Sequence, residues 1–113
     1  MSDGLSDRQR IAVERSHRAI TVIVKVSGFL TRIVPAGSFG VALDTGSTVA
    51  DLVGLLVDVL GDDFRKAILN RRNELHGGIM LALNGEPVPP RGITGTAIDR
   101  ESNFEIIPVI DGG

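Results

Sequence analysis

The chain has 113 residues, no cysteine, 23% charged residues and a formal charge of −2. A domain of this size can bury a core without staples, and the lack of Cys excludes disulfides, thiolate metal sites and a cysteine nucleophile. Its 12 basic residues, ten of them Arg with Lys25 and Lys66, make no broad basic surface, so nucleic acid is a poor partner.

In chain order, residues 1–18 are dominated by Ser, Asp, Arg, Gln and Glu, with too few apolar residues to bury. They read as a flexible N-terminal extension, with His17 solvated. Ile20 to Val26 is rich in β-branched residues and reads as a strand buried on both faces. It is broken by Thr21 and Lys25 and is far too short to span a bilayer. The N-terminus has no apolar core of a signal peptide, so a cytoplasmic protein without a membrane partner is expected. Gly28 and Pro35-Ala36-Gly37 punctuate a long turn. Phe39 to Asp44 alternates apolar with small or polar residues, as a hairpin strand open on one face does.

Thr48 and Asp51 predict a capping box. Val49, Leu52, Val53, Leu56, Val57 and Leu60 then follow at helical period, and Gly61 stops the helix. Gly54 inside it is expected where the helix nears the sheet. Asp62 is expected to cap a short second helix through Asn70, with Phe64 and Ile68 on one side. Arg71 to Gly78 is a polar loop. Ile79 to Leu83 is a third strand, and Asn84-Gly85 after it is a tight-turn signal. Glu86 to Asp99 is expected to be mostly irregular. Phe104 to Ile107 is the last strand, and Pro108 should end regular pairing. The first and last strands are the most apolar and are expected side by side and parallel, joined through the helix. The fold class is thus α+β, with a mixed sheet and one main helix across one face, over residues 19–108.

Residues 109–113 form an extended tail, Val109-Ile110-Asp111-Gly112-Gly113. At roughly 3.3 Å per residue it reaches on the order of 15 Å. Two glycines add no packing and weaken local order. A thin, side-chain-free end suits a partner that must thread a terminal carboxylate into a narrow active site.

The element order, with Asn84-Gly85-Glu86 after the third strand and Pro108 to Gly113 at the end, resembles the ubiquitin-like β-grasp sulfur carriers. The small subunit of molybdopterin synthase is the nearest look, and the thiamine-pathway carrier is a shorter cousin. Phe29 to Gly37 and Thr45 to Leu52 are similar to the family's first connection and helix entry. The resemblance implies a carrier rather than an enzyme, binding no cofactor or metal of its own. An E1-like adenylating enzyme uses ATP to activate the carboxylate of Gly113, and a sulfur donor converts it to a thiocarboxylate. A sulfur-accepting enzyme, such as a molybdopterin synthase large subunit, then receives the tail. Gly112 is the spacer, and Pro108, Val109, Ile110 and Asp111 are the partner-facing stalk. The carrier is expected to be a monomer alone and a hetero-oligomer at work. Alternatives sharing the same tail chemistry are a modifier joined to lysines through Gly113 and a carrier for thiamine or another sulfur metabolite. A β-grasp docking module without tail activation is the third reading.

Asp111 stands where the family commonly has a small residue. Its carboxylate puts a second negative charge near the adenylating phosphates, which calls for a basic partner group. His76 beside Gly77-Gly78 reads as a loop histidine, because no second ligand stands at metal spacing. Gly77-Gly78 is no phosphate loop, since a strand follows without Lys-Ser/Thr. Asp58, Asp62 and Asp63 are explained by helix-end solvation and capping. Arg71-Arg72 reads as a solvated pair, with docking of an acidic partner as the alternative.

Overall fold

The computed structural model describes residues 18–109. Apart from Arg18 and Val109, the expected extension 1–18 and tail 109–113 lie outside the described residues. The elements are β1 (Ala19–Val26), β2 (Ser38–Asp44), β3 (Ser47–Thr48), α1 (Val49–Leu60), α2 (Asp62–Ile68), β4 (Ile79–Leu83), β5 (Glu86–Val88), β6 (Ala97–Ile98) and β7 (Ser102–Pro108). The five-stranded sheet has the order β2-β1-β7-β4-β5, while β3 and β6 form a separate two-stranded ladder. As expected, β1 and β7 are parallel neighbours, with Val24 opposite Phe104, and the other pairs of the main sheet are antiparallel.

The helix α1 begins as its sequence dictates. The Asp51 N–H donates to Thr48 Oγ1 at 3.1 Å, and the Thr48 N–H donates to Asp51 Oδ2 at 2.9 Å. Two further first-turn donors, the N–H groups of Val49 and Ala50, reach the carbonyls of Thr96 and Ile93, so four orphan groups find partners. Val49, Leu52, Val53 and Leu56 are buried, each worth roughly 1.5–3 kcal/mol as an upper estimate. They join one core cluster with Val22 and Val24 of β1 and Phe104 and Ile106 of β7. Phe64 and Ile68 of α2 complete it.

Several expectations fail, each for a physical reason. β1 is buried on one face only, alternating along its length, with Ile23 43% exposed. Its β-branched run reports strand preference, and the helices cover one side of the sheet. Gly54 is exposed, and an added Cβ there would meet open space. It therefore marks no close approach. Asp62 is the first helical residue of α2 and not its cap; the cap is Gly61, without a side-chain bond. The carboxylate instead pairs with Arg65 at 3.2 Å and Lys66 at 3.1 Å. The long first turn contains a 3-10 helix over Gly28–Arg32.

The stretch from Glu86 to Asp99 is more ordered than its prolines imply. Asn84 (φ 51°) and Gly85 (φ 85°) turn the chain tightly, and β5 pairs with β4 on the sheet edge. Pro87 is tolerated there because an edge strand leaves one row of its backbone groups unpaired. β6 then pairs with β3 through two residues.

Candidate functional site: the exit of the last strand

β7 lies in the middle of the sheet and carries the chain toward residues 110–113. Its pairing with β4 persists through Pro108, opposite Ile79. One step on, the Val109 N–H donates to the Gly78 carbonyl at 2.8 Å. In this antiparallel register Pro108 is a non-hydrogen-bonded pair with Ile79, so its missing N–H costs the β4 ladder nothing.

On the other side Pro108 sits against Gly28. A Cβ placed on Gly28 would lie 3.3 Å from Pro108 Cγ, and Gly28 has φ +60°, a left-handed conformation that side chains disfavour. Both features favour glycine there. Sequence reasoning read Gly28 only as turn punctuation and Gly78 only as loop. The signal for Gly28 was its position just past a strand that pairs parallel with β7.

The exit is apolar. Val109 is 56% exposed and Phe29, next to Gly28, is 40% exposed. Met80, opposite Ile107 in the ladder, is 37% exposed. Of the stalk residues singled out in the sequence, Pro108 and Val109 are therefore fixed at the exit. Ile110, Asp111, Gly112 and Gly113 lie outside the described residues.

The opposite end of β7 is polar. Asn84 Nδ2 donates to Ser102 Oγ at 3.2 Å, Ser102 Oγ donates to the Arg100 carbonyl at 2.8 Å, and the Asn103 N–H donates to Asn84 Oδ1 at 2.9 Å. A concavity of about 490 Å³ opens beside these groups, lined in part by Glu86, Val88, Ile98 and Arg100.

Chemistry-bearing side chains are dispersed. Among the described residues no three of His, Cys, Asp and Glu gather as a metal-ion group would. His76 is exposed in the loop before β4, where its N–H donates to the Ile68 carbonyl. Gly77-Gly78 leads into a strand, and the Gly78 carbonyl serves Val109. The carboxyl of Asp62 is held below the usual carboxylate range, first by Lys66 and then by Arg65. Asp58 and Asp63 are exposed on the helices. No helix of the described residues is long and apolar enough to cross a membrane.

No family model and no curated relative matches the chain. Solved structures do. Small archaeal modifier protein 1 (SAMP1) of Haloferax volcanii superposes with a TM-score of 0.70 at 22% identity, covering 82% of this chain and 99% of its own. A Pyrococcus furiosus protein assigned as subunit 1 of a molybdopterin converting factor gives 0.63 at 15% identity, with 80% and 99% covered. A chain of the Amycolatopsis orientalis BexX/CysO complex gives 0.61 at 22% identity, with 81% and 99% covered.

The fold is the ubiquitin-like β-grasp.

In this β-grasp, β7 is the central strand, and Pro108 and Val109 are its last described residues. The expected α+β class, the parallel pairing of the first and last strands and the single main helix across one face are all present.

Proposed function

We propose that this β-grasp protein is a carrier whose working group is the carboxylate of Gly113, with no catalytic side chain of its own. The observation that carries the proposal is the end of the central strand: it lies between Gly28 and Gly78, with Phe29, Met80 and Val109 exposed on the segments that meet there, five residues short of Gly113. The likeness to a modifier protein and to a molybdopterin converting factor subunit supports it.

The chemistry follows from the group. A carboxylate is a poor electrophile. An adenylating enzyme using ATP would let a Gly113 oxygen displace pyrophosphate at the adenylyl phosphorus. A sulfur donor would then attack the acyl carbon, and AMP would leave with its electron pair, giving a thiocarboxylate. Gly112 would fit the narrow channel, and Pro108 to Asp111 would line the partner's entrance. The sulfur would pass to an accepting enzyme, with a molybdopterin synthase large subunit as the first candidate, in the cytoplasm. The protein would be a monomer alone and a hetero-oligomer in transfer.

Intact-mass measurement tests this directly. The native protein must carry Gly113 as its free end. Incubation with ATP, sulfide and a matched adenylating enzyme must add the mass of one sulfur-for-oxygen exchange. Deletion of Gly112-Gly113 must abolish the gain while leaving the melting temperature unchanged. No mass change in the intact chain would overturn the proposal.

A modifier role, joining Gly113 to lysines of other proteins, is favoured by the superposition on SAMP1. Gly-Gly remnants on cellular lysines after proteolysis would identify it. A carrier role for thiamine or another sulfur metabolite differs only in the accepting enzyme.

A further inference from the structure

A second surface lies apart from the exit. The end of α2 and the loop after it form an open groove of about 390 Å³, lined by Arg65, Lys66, Leu69, Asn70, Arg71 and His76. Four of these six side chains are basic or protonatable, one is aliphatic, and none is a carboxylate. This concentration stands out in a chain whose formal charge is −2.

The neighbouring carboxylates are already committed. Asp62, outside the lining, is taken by both Arg65 and Lys66. Glu74 accepts from Asn70 Nδ2 at 3.4 Å. The Arg65 guanidinium is fixed twice, from Nε to Asp62 and from Nη1 to Asn73 Oδ1 at 3.0 Å. Among the described residues its Nη2 has no hydrogen bond within the protein. A guanidinium held this way loses little side-chain freedom when it takes a further carboxylate.

The loop that carries Arg71 is also held in shape. Asn70 Oδ1 accepts the N–H groups of Arg72 and Glu74, the Asn70 N–H donates to the Glu74 carbonyl, and Asn73 takes a left-handed turn at φ 61°. Asn tolerates that conformation with little strain. The Arg71-Arg72 pair therefore sits on a built turn.

We propose that this groove docks an acidic, extended peptide segment of a partner protein. The shape decides among anions. A compact anion such as phosphate needs donors converging on one point, often backbone N–H groups. Here the N–H groups of Arg72, Asn73 and Glu74 are used within the turn, and the basic groups come from four separate positions, 65, 66, 71 and 76, with the aliphatic Leu69 among them. Carboxylates spaced along a peptide, with aliphatic stems between them, match that layout. Docking does not depend on the tail chemistry. His76 is two residues from Gly78, so a segment in the groove would tether its owner beside the exit.

The test is a titration of the full chain, without ATP or any activating enzyme, with an acetylated hexaglutamate peptide at low salt, followed by amide chemical shifts. Failure here leaves the fate of Gly113 untouched, and failure at Gly113 leaves this untouched. Shifts should concentrate in residues 65–76. The double variant K66E/R71E should bind about tenfold more weakly and should gain affinity for hexalysine. Arg71→Gln should give a smaller loss, which keeps the test open should charge reversal disturb the loop. Arg32→Glu, outside the lining of the groove, should change nothing. Any of four results would overturn the proposal. These are no binding of hexaglutamate, equal loss in Arg32→Glu, the same shifts with inorganic phosphate at equal concentration, and binding to phosphatidylserine vesicles without binding to the peptide.

Discussion

At Ser102, β7 is tied into the body by side chains, whereas at Pro108 it is held by the main-chain pairing with β4 and a ring packed on glycine. The Ser102 end uses Asn84 as a double clamp, and the adjoining Glu101 accepts from the Thr21 N–H at 2.8 Å. The Pro108 end uses the Gly78 carbonyl and the bare face of Gly28. The difference teaches how one strand can serve two purposes. Side-chain clamps at the entry fix the register of the central strand. Main-chain support at the Pro108 end makes no demand on the side chain of Val109.

Breaking the clamped end should have the largest effect. Asn84→Ala removes both clamp bonds and places alanine at φ 51°, which should cost about 2–3 kcal/mol. The urea midpoint should fall with an unchanged slope. A loss below about 0.5 kcal/mol would show that the clamp does not set the register.

Crowding the exit should cost less and act locally. Gly28→Ala strains a left-handed residue and pushes on Pro108, for about 1–2 kcal/mol. Hydrogen exchange at the Val109 N–H should accelerate more than at Ile106 in the strand interior. Equal protection at both would mean that Gly28 does not seat the exit.

The smallest effect should be a gain far from both ends. Gly54→Ala replaces an exposed helical glycine whose added Cβ meets nothing, and should raise stability by about 0.5–1 kcal/mol. A decrease in the melting temperature would contradict the open surroundings of Gly54.

Much of the scaffold was legible because local and global signals agree. The Thr48–Asp51 box, the stripe from Val49 to Leu60 and the Asn84-Gly85 turn each carry their own mechanism, and the structure uses all three. The parallel placement of the first and last strands followed from their apolar content. One-sided burial of β1 was not legible, since β-branched residues suit a strand whether one or both faces are covered. β5 was missed because Pro87 argues against a strand unless its place on the sheet edge is known. At the site, the seat of Pro108 was not legible. Gly28 and Pro108 are 80 positions apart, and nothing local reveals that they touch. The basic groove was visible only as Arg71-Arg72, because Arg65 and Lys66 join it through the turn of α2.

The place of β7 in the middle of the sheet also bears on how the molecule is made. The β1–β2 hairpin and the β4–β5 hairpin do not pair with each other; β7 alone joins them. A nascent chain emerging from the ribosome holds two unconnected halves until its last strand has cleared the tunnel. Completion of the sheet therefore waits for synthesis of its last strand. A truncated product lacking β7 would be an open pair of hairpins exposed to proteases.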